Sequence, residues 1–346
     1  MAATIKQIAD RAGVSPATVS LVLNMRPGIK AETRDKVFEA AADLEYRLRH
    51  PASGAGNATV RFLRIRKHGH IVNPNHRVFI ADYMDGMERE ASLQFCALET
   101  RSYEKFDPAE ILASLEEGSV AGAIVLGTEL DEADIEALRS SPVPLVFIDT
   151  FHSRLGMDFV DMDNESSVFA VVEYFKESGH RRIGIVTGSV PTRNFRLRER
   201  SFFESMERLG LPFDSDQDLF AIDSTDKGKL DMERILLVRR DLPTALFCVN
   251  DIVAYGCASA LQEAGFSIPK DVSIIGFDDL PSNAYMSPPL CSVKVSKRRI
   301  GQCAMQLLAL RLADPGKESE KILVGGELVI RGSASPQEAK KGGSAI

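Results

Sequence analysis

Four polar side chains stand where apolar runs stop. "PLVFID" ends on Asp149, "TALFCVN" on Asn250 with Asp251 next, and "VSIIGFDD" on Asp278 and Asp279, while Arg198 opens a helical segment that follows "RIGIVTG". Two carboxylates, an amide and a guanidinium can each bond a pair of hydroxyls, so the set suits a polyhydroxylated small molecule. Taken singly, any Asp or Asn after a strand also reads as a helix cap; four converging positions favour a binding cleft. Chemistry of other kinds finds no support. The chain contains no nucleophile elbow, P-loop or dinucleotide fingerprint, so we do not expect an enzyme or a cofactor. Its five cysteines (Cys96, Cys248, Cys257, Cys291 and Cys303) lack metal-ligand spacing and read as reduced, buried thiols.

These positions require a scaffold that brings strand ends together. From Val60 onward, short apolar runs such as "VRFLRI", "AGAIVLG" and those above alternate with helical segments near 79–91, 108–117, 164–178, 197–209 and 251–264. Such alternation means parallel sheets covered by helices on both faces. Roughly a dozen strands are too many for one compact sheet, so two doubly wound subdomains are expected. In that architecture ligands bind beyond the carboxyl ends of the strands. The basic, His-rich stretch "RKHGHIVNPNHR" after the first strand either lines the cleft mouth or is a solvated loop, and the loop is the preferred reading.

The first 60 residues follow a different pattern. Ile5, Ile8, Ala9 and Ala12 lie at i, i+3, i+4 and i+7, the apolar stripe of a short helix. Gly13 can end it, Ser15 can cap a second helix, and Pro16 suits a first helical position. The second helix buries Val19, Val22 and Leu23 and presents Pro16, Ala17, Ser20, Leu21 and Asn24. A third carries Val37, Ala40, Ala41 and Leu44 on one stripe. Three short helices with a tight turn between the first two match a helix-turn-helix, whose second helix enters the major groove. Ser15 and Thr18 can donate to phosphates. Charge agrees. Net charge is −7, yet residues 1–67 hold 12 Lys and Arg against 6 Asp and Glu, while the remainder holds 30 against 43. A basic head on an acidic body fits double-stranded DNA as a partner.

With those residues in view, "TIKQIADRAGVSPATVSLVLN" and "AETRDKVFEAAADLEYR" resemble the DNA-binding head of the LacI family of bacterial transcription regulators. The resemblance continues through "GHRRIGIVTG", "NDIVAYGCASALQEAGFSIPKDVSIIGFDD", "PPL" and "ELVIRGS" into a core similar to periplasmic sugar-binding proteins. It implies that Pro16, Ala17 and Leu21 read bases. Thr4, Ser15, Thr18, Ser20, Asn24 and Arg34 complete the DNA-binding set, mostly by fixing the backbone. Leu21 stands where many relatives carry Arg, so its base contact is apolar, such as a thymine methyl. In the core the resemblance assigns ligand contact to Asp149, Arg198, Asn250 and Asp278 and stacking to Phe79. Ser224 falls where many relatives place an aromatic.

The resemblance implies a hinge helix across residues 47–60, "RLRHPASGAGNATV". Leu48, Ser53 and Ala55 depart from that pattern, and Gly54 and Gly56 each cost about 1 kcal/mol of helix propensity relative to Ala. The stretch reads either as a flexible tether or as a weak hinge helix. The expected organisation is a small all-α helix-turn-helix head (1–46), a linker (47–59) and an α/β core of two doubly wound parallel-sheet subdomains (60–336), followed by a disordered tail (337–346). The N-subdomain comprises 60–161 and 292–317, the C-subdomain 162–291 and 318–336, with crossings near 161, 291 and 318. The tail lacks apolar heptads, so a homodimer is expected. No secretory signal or membrane span is read in the chain, and it is expected to be cytoplasmic. The leading reading is a transcription repressor controlled by a small-molecule effector, a sugar or sugar derivative, bound between the subdomains. A sugar receptor for transport and an enzyme on the same scaffold are the alternatives.

Overall fold

A computed structural model describes residues 4–23, several positions between 33 and 44, and residues 58–69, 74–94, 96–190, 192–225 and 227–337. The chain divides into two compact units, Met1–Gly56 and Asn57–Ile346. The expectations for the linker at 47–57 and for the tail beyond residue 337, and those for Asn24 and Arg34, lie outside the described residues.

In the first unit, α1 (Ile5–Ala12) starts at Thr4, whose Oγ1 accepts the Gln7 N–H while Gln7 Oε1 accepts the Thr4 N–H. Gly13 ends it at φ 67°, a left-handed conformation that Gly adopts at least cost, and donates its N–H to Ala9. The chain restarts at once because Ser15 Oγ accepts the Thr18 N–H at 3.0 Å and Pro16 opens α2 (Pro16–Leu23). Ile8, Ala9, Val19, Val22, Val37 and Ala40 close a small core, against which Ala41 and Leu44 pack. The turn thus lets two stripes meet one core while Pro16 and Ala17 stay exposed.

The second unit holds two six-stranded sheets. The first has the order β11-β5-β4-β3-β1-β2 and is wholly parallel. Its strands are β1 (Thr59–Ile65), β2 (Ala97–Tyr103), β3 (Val120–Leu126), β4 (Leu145–Ile148), β5 (Asp158–Met162) and β11 (Lys321–Val324). The second has the order β12-β10-β9-β8-β6-β7, with β12 antiparallel to β10. Its strands are β6 (Ile183–Gly188), β7 (Leu219–Ile222), β8 (Ala245–Cys248), β9 (Ser273–Asp278), β10 (Cys291–Lys294) and β12 (Glu327–Val329). Strands β6, β8 and β9 are buried at every residue, as parallel strands covered on both faces must be. That is why they read as unbroken apolar runs. The α-helices of six residues or more in this unit are, among the described residues, α3 (Pro74–Leu93), α4 (Pro108–Leu115), α5 (Glu132–Ala137), α6 (Asn164–Glu177), α7 (Arg193–Arg208), α8 (Gly228–Val238), α9 (Asp251–Glu263) and α10 (Lys297–Ala313).

The chain passes between the lobes at 163, at 295–296 and at 325–326. The last two corrections to the expected boundaries have one cause. Strand β10 pairs in parallel with β9 and so completes the second sheet before the chain leaves it, and β11 extends the edge of the first sheet beside β5. Residues 292–294 and 321–324 therefore belong to the opposite lobes from those expected. The first sheet's lobe is held by a close crossing of α3 and α10. A Cβ added at Gly86 would lie 2.1 Å from the Arg298 carbonyl oxygen, and one at Gly301 would lie 2.2 Å from that of Tyr83.

Candidate functional site

Asp149 follows β4 and Asp278 ends β9, so each lobe carries an aspartate to the carboxyl edge of its sheet. Among the described residues, the non-glycine positions with positive φ are Asp149 (58°), Asp278 (113°) and Asp279 (48°). Such conformations cost on the order of 1–3 kcal/mol each and tend to occur at functional sites. Neither Asp149 nor Asp278 is an N-cap among the described helices. Asp149 is buried and accepts hydrogen bonds from Tyr83 Oη (3.1 Å), Asn194 Nδ2 (3.2 Å) and Thr128 Oγ1. Its pKa rises through burial, opposed first by the Thr128 bond and then by the charge of Arg198. Asp278 faces the Arg198 guanidinium at 3.7 Å, and its carbonyl accepts from Lys297 Nζ at 2.6 Å. Burial pushes its carboxyl up to about 6 against the lowering pull of Arg198 and Lys297.

Arg198, 3% exposed, is fixed on every side. Its Nε donates to Asn164 Oδ1 at 2.9 Å, one terminal nitrogen donates to the Val249 carbonyl at 2.6 Å, and its plane lies 3.7 Å from the Phe277 ring centroid. Asn250 combines both roles that the sequence allowed. Its Oδ1 caps α9 by accepting the Val253 N–H, while its Nδ2 is buried without a hydrogen-bond partner among the described residues. Phe79 is buried, edge-on to Tyr83, with Lys297 Nζ 4.8 Å from its ring centroid. Asp251 and Asp279 serve the scaffold: Asp251 accepts from Leu280 N–H, Asn283 Nδ2 and Ser292 Oγ, and Asp279 pairs with Arg331 at 2.7 Å.

Several participants escaped the sequence reading. Asn194 extends from the second lobe to the first: its Nδ2 donates to both Asp149 and Asp161 at 3.2 Å, and its Oδ1 accepts from Asn164 at 3.1 Å. Arg193 likewise donates to the Phe151 carbonyl at 2.9 Å. Asp161 is wholly buried, its Oδ2 lacks a partner among the described residues, and burial beside Asp149 raises its carboxyl to about 8. Tyr83 lies four residues beyond Phe79, and Asn194 four before Arg198; helical i, i+4 spacing from residues already chosen would have found both. At the start of the His-rich stretch Arg66, Lys67 and His68 are exposed, and His68 also lines the cleft rim, so both readings of it meet there. Glu129 Oε2 accepts the backbone N–H groups of Lys67, His68 and Gly69, which fixes the start of the stretch at the cleft rim. There a cavity of about 290 Å³ opens beyond β1, β3, β4 and β6, lined from both lobes.

In the head, Pro16 and Ala17 are exposed and Thr18 is partly so. Ser15 Oγ lies 2.8 Å from Thr18 Oγ1. Thr4 is the N-cap of α1. The side chains of Ser20 and Leu21 lie outside the described set. Among the described residues, no helix is long and apolar enough to cross a membrane, and no cluster of His, Cys, Asp and Glu could hold a metal ion. The cysteines are free thiols, Cys96 half-buried and the others buried.

A helix-turn-helix unit followed by two doubly wound lobes defines a DNA-binding regulator with a periplasmic-binding-protein-like core. Comparison with known proteins agrees. Residues 4–48 match the model of bacterial regulatory proteins of the lacI family, and residues 172–334 match that of a periplasmic binding protein-like domain. The HTH-type transcriptional repressor PurR of Haemophilus influenzae is 31% identical over 341 residues, covering 96% of this chain and 98% of the relative. The chain belongs to the LacI family. Among solved structures, the Lac repressor dimer bound to operator and the anti-inducer ONPF aligns at a TM-score of 0.71 and 22% identity, covering 97% of this chain and 100% of that one. A LacI family regulator from Enterococcus faecium with bound ribose aligns at 0.66 and 27% identity, covering 81% and 100%. The protein is therefore a LacI-family transcription regulator, of a family that binds operator DNA and small-molecule effectors, and not an enzyme.

Proposed function

We propose that the protein is a cytoplasmic, homodimeric repressor whose operator affinity is set by a sugar or sugar derivative held between the lobes. Phe79, Asp149, Arg198, Asn250 and Asp278 form the effector site, joined by Tyr83, Asp161 and Asn194. The observation that carries this reading is the facing pair of positive-φ aspartates, one on each lobe, with Asn250 Nδ2 and Asp161 Oδ2 beside them lacking partners among the described residues. A ligand with several hydroxyls can accept from the amide and donate to the carboxylates, and so joins the lobes. The ribose held by the Enterococcus faecium regulator supports the sugar class. In the head, Pro16, Ala17 and Leu21 meet base edges, while Thr4, Ser15, Thr18, Ser20, Asn24 and Arg34 hold the backbone. A dimer places two heads on a pseudopalindromic operator. Coupling of about 1–3 kcal/mol between the two sites gives a useful response. The test is a gel shift on genomic fragments, followed by a ligand-library thermal-shift screen. A selective shift, altered by any compound that stabilises the core, is the expected result. Binding to all fragments alike would overturn the operator reading.

A further inference from the structure

The cavity at the cleft rim has a charge pattern that the paired aspartates do not explain. It is lined by His68 after β1, Thr128 after β3, His152 after β4, and Thr192, Arg193 and Arg196 at the start of α7, together with three acidic residues. Two of the acids are already engaged. Glu129 accepts three backbone N–H groups. Asp131 caps α5 and pairs with Lys67 at 2.8 Å, which holds its carboxyl at about 2. The third, Glu132, is 59% exposed and stands 3.9 Å from His152 Nδ1. The cations are differently placed. Among the described residues no carboxylate lies within 4.0 Å of the Arg193 or Arg196 guanidinium. Burial, then the charges of Arg200 and Arg196, depress the Arg193 pKa, with Glu132 and Asp161 acting the other way.

A second observation is independent of the arginines. His152 is 7% exposed, and its Nε2 is buried without a hydrogen-bond partner among the described residues. Burial and then Arg193 push its pKa below the ordinary value, so the ring is neutral at pH 7 and can carry one N–H to donate. The 16-residue helix α7 begins at the same place and turns its positive end toward the cavity rim.

We infer that the effector is an acidic sugar derivative, whose carboxylate or phosphate is held by Arg193, Arg196 and His152 while its hydroxyls meet the aspartates. This rests on the cleft reading above and narrows it. Two like charges in a partly closed site are relieved by an oxyanion, and planar guanidinium groups match its oxygens. The cavity of about 290 Å³ takes the anionic end of the ligand; Asp149 and Asp278 are not among its lining residues, but Thr128 on its wall donates to Asp149 and so joins it to the aspartates.

The test is calorimetry on the full chain with pentoses and hexoses, their aldonic and uronic acids, and their phosphates, alongside inorganic phosphate alone. The expected result is that one acid or one phosphate ester binds once per chain, at least about tenfold more tightly than its neutral parent. Which arm binds identifies the anion. Arg193→Gln and Arg196→Gln should each weaken that binding about ten- to a hundredfold, the loss of one charge-assisted bond. Arg193→Lys should restore part of it. Thermal unfolding checks that each variant is folded. Equal affinity for the neutral parent, wild-type affinity in both glutamine variants, or no binding by any acid or ester would overturn the inference. Binding that survives the glutamine variants but fails in Asp278→Ala would sink the anion subsite alone. Wild-type affinity in Asp278→Ala would sink the cleft reading itself.

Discussion

Asn194 joins the two lobes through one amide, and replacing it with aspartate isolates what that amide contributes. The substitution keeps the shape and removes the donor. Two hydrogen bonds are lost, one to Asp149 and one to Asp161. Asp161, raised to about 8, is neutral at pH 7, so its bond is of the ordinary kind, worth about 0.5–1.5 kcal/mol net; a bond to an ionised Asp149 is worth about 1.5–3. The loss should be about 2–4 kcal/mol, a large part of the 5–15 that holds a typical domain. The new carboxyl sits buried beside two others, so its folded pKa lies above its unfolded value near 3.9. The sign follows: the folded state binds the extra proton, so the penalty is small at low pH and grows as pH rises, by at most about 1.4 kcal/mol per pH unit. Asn194→Ala, which adds no charge, should lose stability by a similar amount at every pH. The chain contains no tryptophan, so urea unfolding is followed by far-UV circular dichroism between pH 5 and pH 8. If the aspartate variant unfolds with the wild type throughout, or tracks the alanine variant at both ends of the range, the amide does not hold the lobes in the way described.

Asp161→Asn should lessen the wild-type pH dependence. Its folded pKa of about 8 exceeds the unfolded 3.8, so it makes the wild type lose stability as pH climbs from about 4 to 8, and thermal midpoints at pH 5 and 8 should lie closer together in the variant, the remaining difference coming from Asp251 and Asp278. Gly301→Ala should destabilise the core by about 1–3 kcal/mol, because its Cβ meets the Tyr83 carbonyl oxygen at 2.2 Å. Gly156→Ala, where nothing lies within 4 Å, should be near neutral in the same unfolding assay. Ala17→Glu should abolish operator binding in a gel shift, since an exposed carboxylate on α2 would face DNA phosphates. Undiminished affinity would remove α2 from the interface.

The fold was legible in the chain to the extent that burial is local. Strands β6, β8 and β9 are buried on both faces, so "RIGIVTG", "TALFCVN" and "VSIIGFD" announce themselves, and so do the polar residues at their ends. The lobe crossings were not legible. "CSVK" and "KILV" are four-residue strands, and pairing with β9 and β5 decides which sheet each joins. The same distinction runs through the site. Asp149 and Asp278 can be read from their strands, whereas the approach of Tyr83 and Asn194 depends on how α3 and α7 pack. The anchor of the rim loop was not legible, because Glu129, which fixes it, lies about sixty residues away in sequence.

Regulation requires that a ligand distinguish two arrangements of the lobes, since equal affinity for both shifts nothing. The polar character of the cleft supplies that difference. With the lobes as they stand, Asn250 Nδ2 and Asp161 Oδ2 are buried without partners among the described residues, and such orphans cost on the order of 1–3 kcal/mol each. Opening would return both groups to water. A ligand that bonds both would remove about 2–6 kcal/mol of penalty from the closed arrangement alone. That range overlaps and exceeds the 1–3 kcal/mol typical of allosteric coupling. An apolar pair in the same place would make the closed arrangement stable without a ligand. Asn250→Leu with Asp161→Leu removes both orphans, which outweighs the loss of the Asn194–Asp161 bond, about 0.5–1.5 kcal/mol, and of the α9 cap, about 1 kcal/mol, so it should shift the lobes toward closure in the absence of effector. Small-angle scattering should then give the same radius of gyration with and without the effector found in the screen, and a remaining difference would mean that closure depends on other contacts.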